Sequence, residues 1–462
     1  MPIAENIFHH LFLCSGKIYR KRKPMIQFLP HNLDVNQVLK NNPPSFPYQC
    51  DNFIHVLSLL TEIPSKKKEL LNGEGYVPLN STILKTRVHN YSQYINYLLE
   101  AGIIETDNYY IPGEKSRGYR FTESYCTLIE PTEISKYTLL KSINNKSPYD
   151  RNMCAKYNYL YKWWDERLQI DYDGTKNYLE QCFQKDKEQN YYKAVRKYNS
   201  NLATVLCMKE NMVRFRIDET SGRCHTYLTN LKKGLRNFVT FDGQNLSSVD
   251  IRCSQPTLST MLLKPEFYQD IKDTGIMNIY RLAPELVKKI PIGEITRLVC
   301  TSEEKFKPYI NAVESDLYNS MRPHLEELIG REWNDRTKIK EAMFAVLYSD
   351  NRFIAQKEAE PKRLFKSMYP EVYEVFSLYK KHGASALPVL LQKIEAKLVL
   401  DGAAKNLAKK NPDMPLFSIH DSLIVPTDCE NLCKEEMLNE GRRLMDIDLK
   451  LQTEVFSPTI KV

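Results

Sequence analysis

Apolar positions along the chain repeat with two different periods. Between residues 78 and 102 they return every three or four places: "PLNSTILKTRV" opens on an Asn/Ser cap and reads as a short helix, and "HN" as a turn. "YSQYINYLLEAG" reads as an amphipathic helix that turns Ile95, Leu98 and Leu99 inward and stops at Gly102. The period then shortens to two. "IIET", a turn at Asp107 and Asn108, "YYI" and the basic "PGEKSRGYRFT" predict strand, turn, strand, loop and a returning strand. Proline-containing breaks at "NNPPSFPYQ" (41–49) and around "EPTEIS" (130–135) bracket these elements.

Helix, turn, helix and a β-wing resemble the winged-helix domains, which set the second helix in a DNA groove and the wing on the backbone. The resemblance puts a nucleic-acid-binding domain at 50–130, with Lys115 and Arg117 on its wing; a protein-docking module is the other reading. Beyond it, 136–215 keeps helical periodicity with many Tyr, Lys and Arg residues, as in "YNYLYKWWDERL". That suits an arm gripping nucleic acid by cation and stacking contacts, and equally a packed core holding Tyr159, Trp163 and Trp164.

A chain of 462 residues is long enough for about three domains. Its formal net charge of +8 favours a polyanionic partner only mildly. Eleven cysteines without a CxxC pair argue against a zinc ribbon or a disulfide framework and read as reduced thiols in a cytoplasmic protein. No apolar run approaches the roughly 18–20 residues of a membrane span, and the start carries its charge after its apolar patch, the reverse of a secretory signal.

Two β-prone runs contain aspartates: "LSSVDIRCSQPTL" (246–258) ends its strand at Asp250, and Asp421 interrupts "PLFSIHDSLIVP" (415–426). Two strand-borne carboxylates suggest a shared ion. Between them "NDRTKIKEAMFAVLYSD" spaces Arg336, Lys340, Phe344 and Tyr348 four apart, which on an α-helix drifts by only about 40° per step and makes one stripe. Two cations followed by two rings suit a nucleoside triphosphate, charges on the phosphates and rings at the sugar and base. A helix whose aromatics are core and whose cations reach for solvent gives the same pattern.

The order of Asp-ended strand, Arg-x3-Lys-x3-Phe-x3-Tyr helix and His-Asp strand resembles the motifs of family A nucleic-acid polymerases, the group of bacterial DNA polymerase I and single-subunit phage RNA polymerases. "SGRCHTYLTNLKKGLRNF" (221–238), "SDLY" (315–318), "MYPEVYEVF" (368–376) and "LLQKIEAKLVL" (390–400) extend the likeness over about 220–445. It implies a right-hand palm of α/β (α+β) type over 216–462, with helical fingers inserted at about 265–385. Thumb-like helices would fill 131–215, with the winged-helix domain and a 1–49 extension before them.

By the same resemblance, Asp250 and Asp421 bind two Mg²⁺ ions, with Mn²⁺ able to substitute, for in-line attack on an α-phosphate. Lys340, in a catalytic role, and Arg336 balance phosphate charge, Phe344 packs the sugar or base, and Tyr348 with Gln255 guards the insertion site. Arg223, Gln392 and His420 face the primer-template. The implied partners are a nucleic-acid primer-template, DNA foremost, and dNTPs, with no membrane.

Three positions depart from the family. Ser422 stands where the DNA enzymes carry Glu, Gln255 where they carry Glu and the phage RNA enzymes Gly, and Ser349 where both commonly have Gly. The N-terminal part lacks the carboxylate pattern of a proofreading exonuclease. The expectation is a DNA-directed DNA polymerase without proofreading. An RNA polymerase or primase of the same fold is one alternative; a DNA-binding replication initiator or regulator with a non-catalytic palm is another, disfavoured by the intact aspartates and stripe.

Overall fold

The computed structural model describes residues 24–270, 275–329 and 336–458, without the side chains of 328, 329 and 336. The chain forms two compact units, the first from 24–147 with Lys176–Cys207 and the second from Pro148–Thr175 with 208–458. These are not the boundaries expected from the sequence, and the reasons lie in long-range pairing. Strand β1 (Met25–Pro30) runs antiparallel to β5 (Ile129–Ile134) from Met25↔Ile134 to Pro30↔Ile129, so the described part of the 1–49 extension is built into the first unit. Asn199 donates to the Thr127 carbonyl at 2.8 Å and accepts from the Ile129 amide at 3.1 Å, which ties 176–207 to the same unit. The expected single helical region over 131–215 is thereby divided.

In the first unit, Asn80 caps the Ser81–Arg87 helix by accepting from the Thr82 and Ile83 amides, as its residue type favours. The Tyr91–Glu100 helix buries Tyr94, Ile95 and Leu98 against Phe53 and Leu57 of the Cys50–Lys66 helix, while Leu99 is only half-buried. Gly102, at φ +65°, ends it in the left-handed conformation that glycine adopts without strain. Strands β2 (Val77–Pro78), β3 (Ile104–Thr106) and β4 (Gly118–Phe121) form a sheet in the order β2-β4-β3. The expected strand at Tyr109–Ile111 is absent. Asp107 accepts from the amides of Tyr109 and Gly118, at 3.0 and 2.9 Å, and folds 107–117 into a loop whose tyrosines 109 and 110 are exposed.

The second unit is built on a six-stranded sheet from β6 (Leu168–Ile170), β9 (Val239–Phe241), β10 (Gln244–Ile251), β11 (Phe417–Ile419), β12 (Ser422–Pro426) and β13 (Leu451–Val455). Its order is β11-β12-β10-β9-β6, with β13 also on β10; β7 (Phe215–Ile217) and β8 (Cys224–Thr226) form a separate pair. Central β10 is buried on both faces from Leu246 to Val249, as its Leu, Ser and Val residues allow. Trp163 packs edge-on to Phe241 and Trp164 to Phe417, at 5.9 and 5.7 Å between centroids, so both indoles are core of this sheet. Between β10 and β11 the chain makes a helical layer whose centre is aromatic: Tyr309, Phe365 and Phe376 are fully buried together. Among the described residues no helix is long and apolar enough to cross a membrane.

Candidate active site

Asp250 sits one residue from the end of β10, paired across the sheet with Ser422. Asp421 is not on a strand. Ile419 and Ser422 are cross-strand partners, so His420 and Asp421 are the two-residue turn between β11 and β12. His420 takes the left-handed conformation there, φ 55°, an uncommon state for a residue with a β-carbon. The turn carries Asp421 to the end of β10, where the Ile251 amide meets its carbonyl at 3.4 Å. Burial pushes the Asp250 carboxyl above the ordinary carboxylate range and the Asp421 charge pushes it further, while the Ser422 and Ser248 hydroxyls pull it back. Arg236, its guanidinium lowered by burial and raised by Asp250, Glu454 and Asp421, is a cation beside the pair. Sequence reasoning passed over it, although it lies in the quoted 221–238 stretch.

Beyond β10 a second left-handed residue, Cys253 at φ 53°, turns the chain into the Ser254–Ser259 helix and buries Gln255 on its first turn. Gln255 accepts a hydrogen bond from the Tyr348 hydroxyl at 3.1 Å and donates from Nε2 to Glu395 at 2.9 Å. Arg223, just before β8, grips the same carboxylate through Nε at 2.8 Å and Nη2 at 2.6 Å. Burial pushes Glu395 up to about 7 against the pull of Arg223 and Gln255, and the Asp421 charge adds to the push. Glu395 was not foreseen. Gln392, chosen by resemblance, stands half-buried one turn earlier on the Ala386–Ala396 helix. The available signal was a carboxylate on the apolar face shared with Leu391, Ile394 and Leu398, where a charge needs a partner.

The Arg336–Tyr348 helix buries Ile339, Met343, Val346 and Leu347 and turns Lys340 and Phe344 outward, with Tyr348 half-buried. Phe344 is 37% exposed and meets Tyr348 edge-on at 5.4 Å, with Lys340 Nζ 5.5 Å from the Phe344 ring centre. The phenylalanine is therefore not core; the side chain of Arg336 lies outside the described residues. Behind the helix, two buried lysines hold its C-terminal end. Lys362 donates to the carbonyls of Ser349 and Asp350, and Lys380 to those of Val346 and Ser349, at 2.8 to 3.2 Å. Cations are favoured at a helix C-terminus, but burial pulls both ammonium groups down, Lys380 to about 7 with the Lys362 charge adding.

His420 is half-buried, with no partner for Nδ1 among the described residues, and is pulled down to about 4 by burial, Arg223, His225 and Arg236. In the first unit Lys115 and Arg117 are exposed on the 107–117 loop. Lys115 pairs with Asp107 at 3.5 Å and lies over the Tyr109 ring at 4.1 Å.

Among the described residues no group of three or more His, Cys, Asp or Glu side chains could enclose a metal. The donor set at the sheet end is two hard carboxylates, the Asp421 charge adding to the upward push on Asp250. It fits a divalent ion that takes its remaining oxygens from water and substrate, as Mg²⁺ does.

No protein-family model matches the chain, and no curated protein matches it. Among solved structures it is similar to the POL domain of Pol1 from M. smegmatis in complex with DNA primer-template and dNTP. The TM-score is 0.36 and the identity 15%, over 61% of this chain and 55% of that one. The likeness is a distant one between folds of mixed helix and sheet.

Proposed function

We propose that the protein is a template-directed nucleotidyltransferase that makes DNA from dNTPs. In this reading the second unit is a polymerase palm with the helical layer as fingers, and the first carries a winged-helix module for nucleic acid. The observation that carries it is the meeting of Asp250 and Asp421 at one end of the sheet, beside the Gln255–Tyr348 pair and at the foot of the Lys340–Phe344 stripe.

Mg²⁺ held by Asp250 and Asp421 would supply acidification of a primer 3′-hydroxyl and neutralisation of the leaving pyrophosphate. The chain's own residues do the rest. Lys340, exposed on its helix, offers a point charge to the triphosphate, and Phe344 offers a face to the sugar or base. Gln255 and Tyr348 close the space next to the sugar. Arg236 steadies the paired aspartates before substrate arrives.

Primer extension with four dNTPs or four NTPs, on DNA and RNA templates with Mg²⁺, tests the reading. Extension with dNTPs on DNA is expected; a parent that extends only with NTPs would overturn the DNA assignment, and one that incorporates neither would overturn the enzyme.

A further inference from the structure

Gln255 has both ends of its amide occupied, and what occupies them decides which end faces the tyrosine. An isolated amide can turn over at little cost, exchanging oxygen for nitrogen. Here Glu395 prevents that. Arg223 donates to both Glu395 oxygens, which makes them acceptors, so the carboxylate draws Nε2 toward itself at 2.9 Å and leaves Oε1 for the Tyr348 hydroxyl at 3.1 Å. Glu395 cannot swing away, because Arg223 grips both of its oxygens and the side chain is buried. The Arg223–Glu395–Gln255–Tyr348 chain thus joins the start of β8, the Ala386–Ala396 helix, the Ser254–Ser259 helix and the Arg336–Tyr348 helix.

We propose that Glu395 is a positioning residue for sugar selection: by orienting Gln255 it makes the tyrosine a donor and holds Gln255 and Tyr348 together as one closed wall against a ribose 2′-hydroxyl. This rests on the nucleotidyltransferase reading and extends it to a residue that touches neither nucleotide nor metal. A 2′-hydroxyl arriving at that wall is crowded, and the tyrosine proton it could accept is already given to Gln255. Without Glu395 the amide is free to turn, the tyrosine loses its acceptor, and the wall opens.

Single-nucleotide incorporation of dATP and ATP opposite template T, in the parent and in Glu395→Leu, Glu395→Asp and Glu395→Gln, tests this, with thermal unfolding run alongside. Glu395→Leu should lower the dATP preference by about tenfold while changing dATP incorporation much less. Glu395→Gln keeps an acceptor for Gln255 Nε2 and should retain most of the preference, a rescue that a merely space-filling role would not require. If Glu395→Leu fails to fold, Glu395→Asp is read in its place, since it keeps the charge but falls short of Gln255, and it should lose the preference too. An unchanged preference in Glu395→Leu, or in Glu395→Asp where the leucine variant does not fold, overturns the proposal while leaving the enzyme reading intact. A parent without incorporation, or without a sugar preference, overturns the proposal at its base, and only the first of these also removes the enzyme.

Discussion

Asp250 and Glu395 lie in the same unit, and burial pushes both above the ordinary carboxylate range, but their surroundings differ in kind. Glu395 has its oxygens taken by a guanidinium fork and an amide. Asp250 receives a neutral serine hydroxyl at 3.1 Å and has a second carboxylate for a neighbour. Under the proposed function, the carboxylate gripped by protein donors positions its neighbours, and the one beside a second carboxylate, with the Arg236 guanidinium near both, is open to an ion that arrives from outside. On that reading the contrast separates positioning from chemistry within one site.

The largest test of that contrast is Asp250→Asn or Asp421→Asn. Each should cut nucleotide incorporation at least about a thousandfold, the scale of several kcal/mol of transition-state charge stabilisation. Nucleic-acid binding, followed by anisotropy, should stay nearly intact. Normal extension by either variant would erase the distinction.

Next comes the wall itself. Gln255→Gly should narrow the dNTP over NTP preference by about tenfold, because the space beside the sugar opens and Tyr348 loses its acceptor. Competing incorporation of dATP and ATP measures it.

The same distinction between answered and unanswered charge applies in the first unit. Lys115 already has the Asp107 carboxylate and the Tyr109 ring, whereas exposed Arg117 hydrogen-bonds a neutral group, the Tyr119 hydroxyl. Arg117→Ala should therefore weaken DNA binding by about threefold and lower the salt slope by about one, with Lys115→Ala doing less. Anisotropy titrations over a salt series decide it, and equal affinities at matched salt would favour a protein-docking role. Point substitutions are the right tool here, because excising 50–125 would remove the Cys50–Lys66 helix from the core against β1.

The smallest effect concerns the lysines behind the Arg336–Tyr348 helix. Lys380 is lowered from 10.5 to about 7, so between those values the unfolded chain binds more protons than the native one, and stability rises with pH through that window. Below it the full penalty of a buried ammonium is present. Relative to Lys380→Met, which has nothing to titrate there, the parent should gain thermal stability from pH 7 toward pH 10. Parallel melting curves that do not converge or cross with pH would show that Lys380 stays charged throughout.

What the sequence made legible follows from the range of each signal. The stripe is local, so its four-residue spacing sets Lys340, Phe344 and Tyr348 along one side of the helix, where Lys340 and Phe344 are exposed and Tyr348 is half-buried. The aspartates were legible as residues out of place in apolar runs. That Asp421 belongs to a turn was not, because Ile419↔Ser422 pairing leaves two residues for the reversal and alternation reads straight through so short a gap. The unit boundaries depend on β1 meeting β5 about a hundred residues later, for which neither strand carries a local mark. Lys362 and Lys380 look like ordinary surface lysines in the sequence, and only the fold shows that their ammonium groups end on backbone carbonyls.

Those two lysines make one end of the helix a fulcrum. Lifting residues 346–350 would strip two buried ammonium groups of their carbonyls, so any tilt has its pivot there. A thirteen-residue helix is about 20 Å long, and a swing of roughly 20° about Tyr348 would carry its Arg336 end some 6 Å and Lys340 about 4 Å, with Tyr348 scarcely displaced. Under the proposed function such a lever would be graded: the groups offered to phosphates would travel, and the one set against Gln255 would stay at rest.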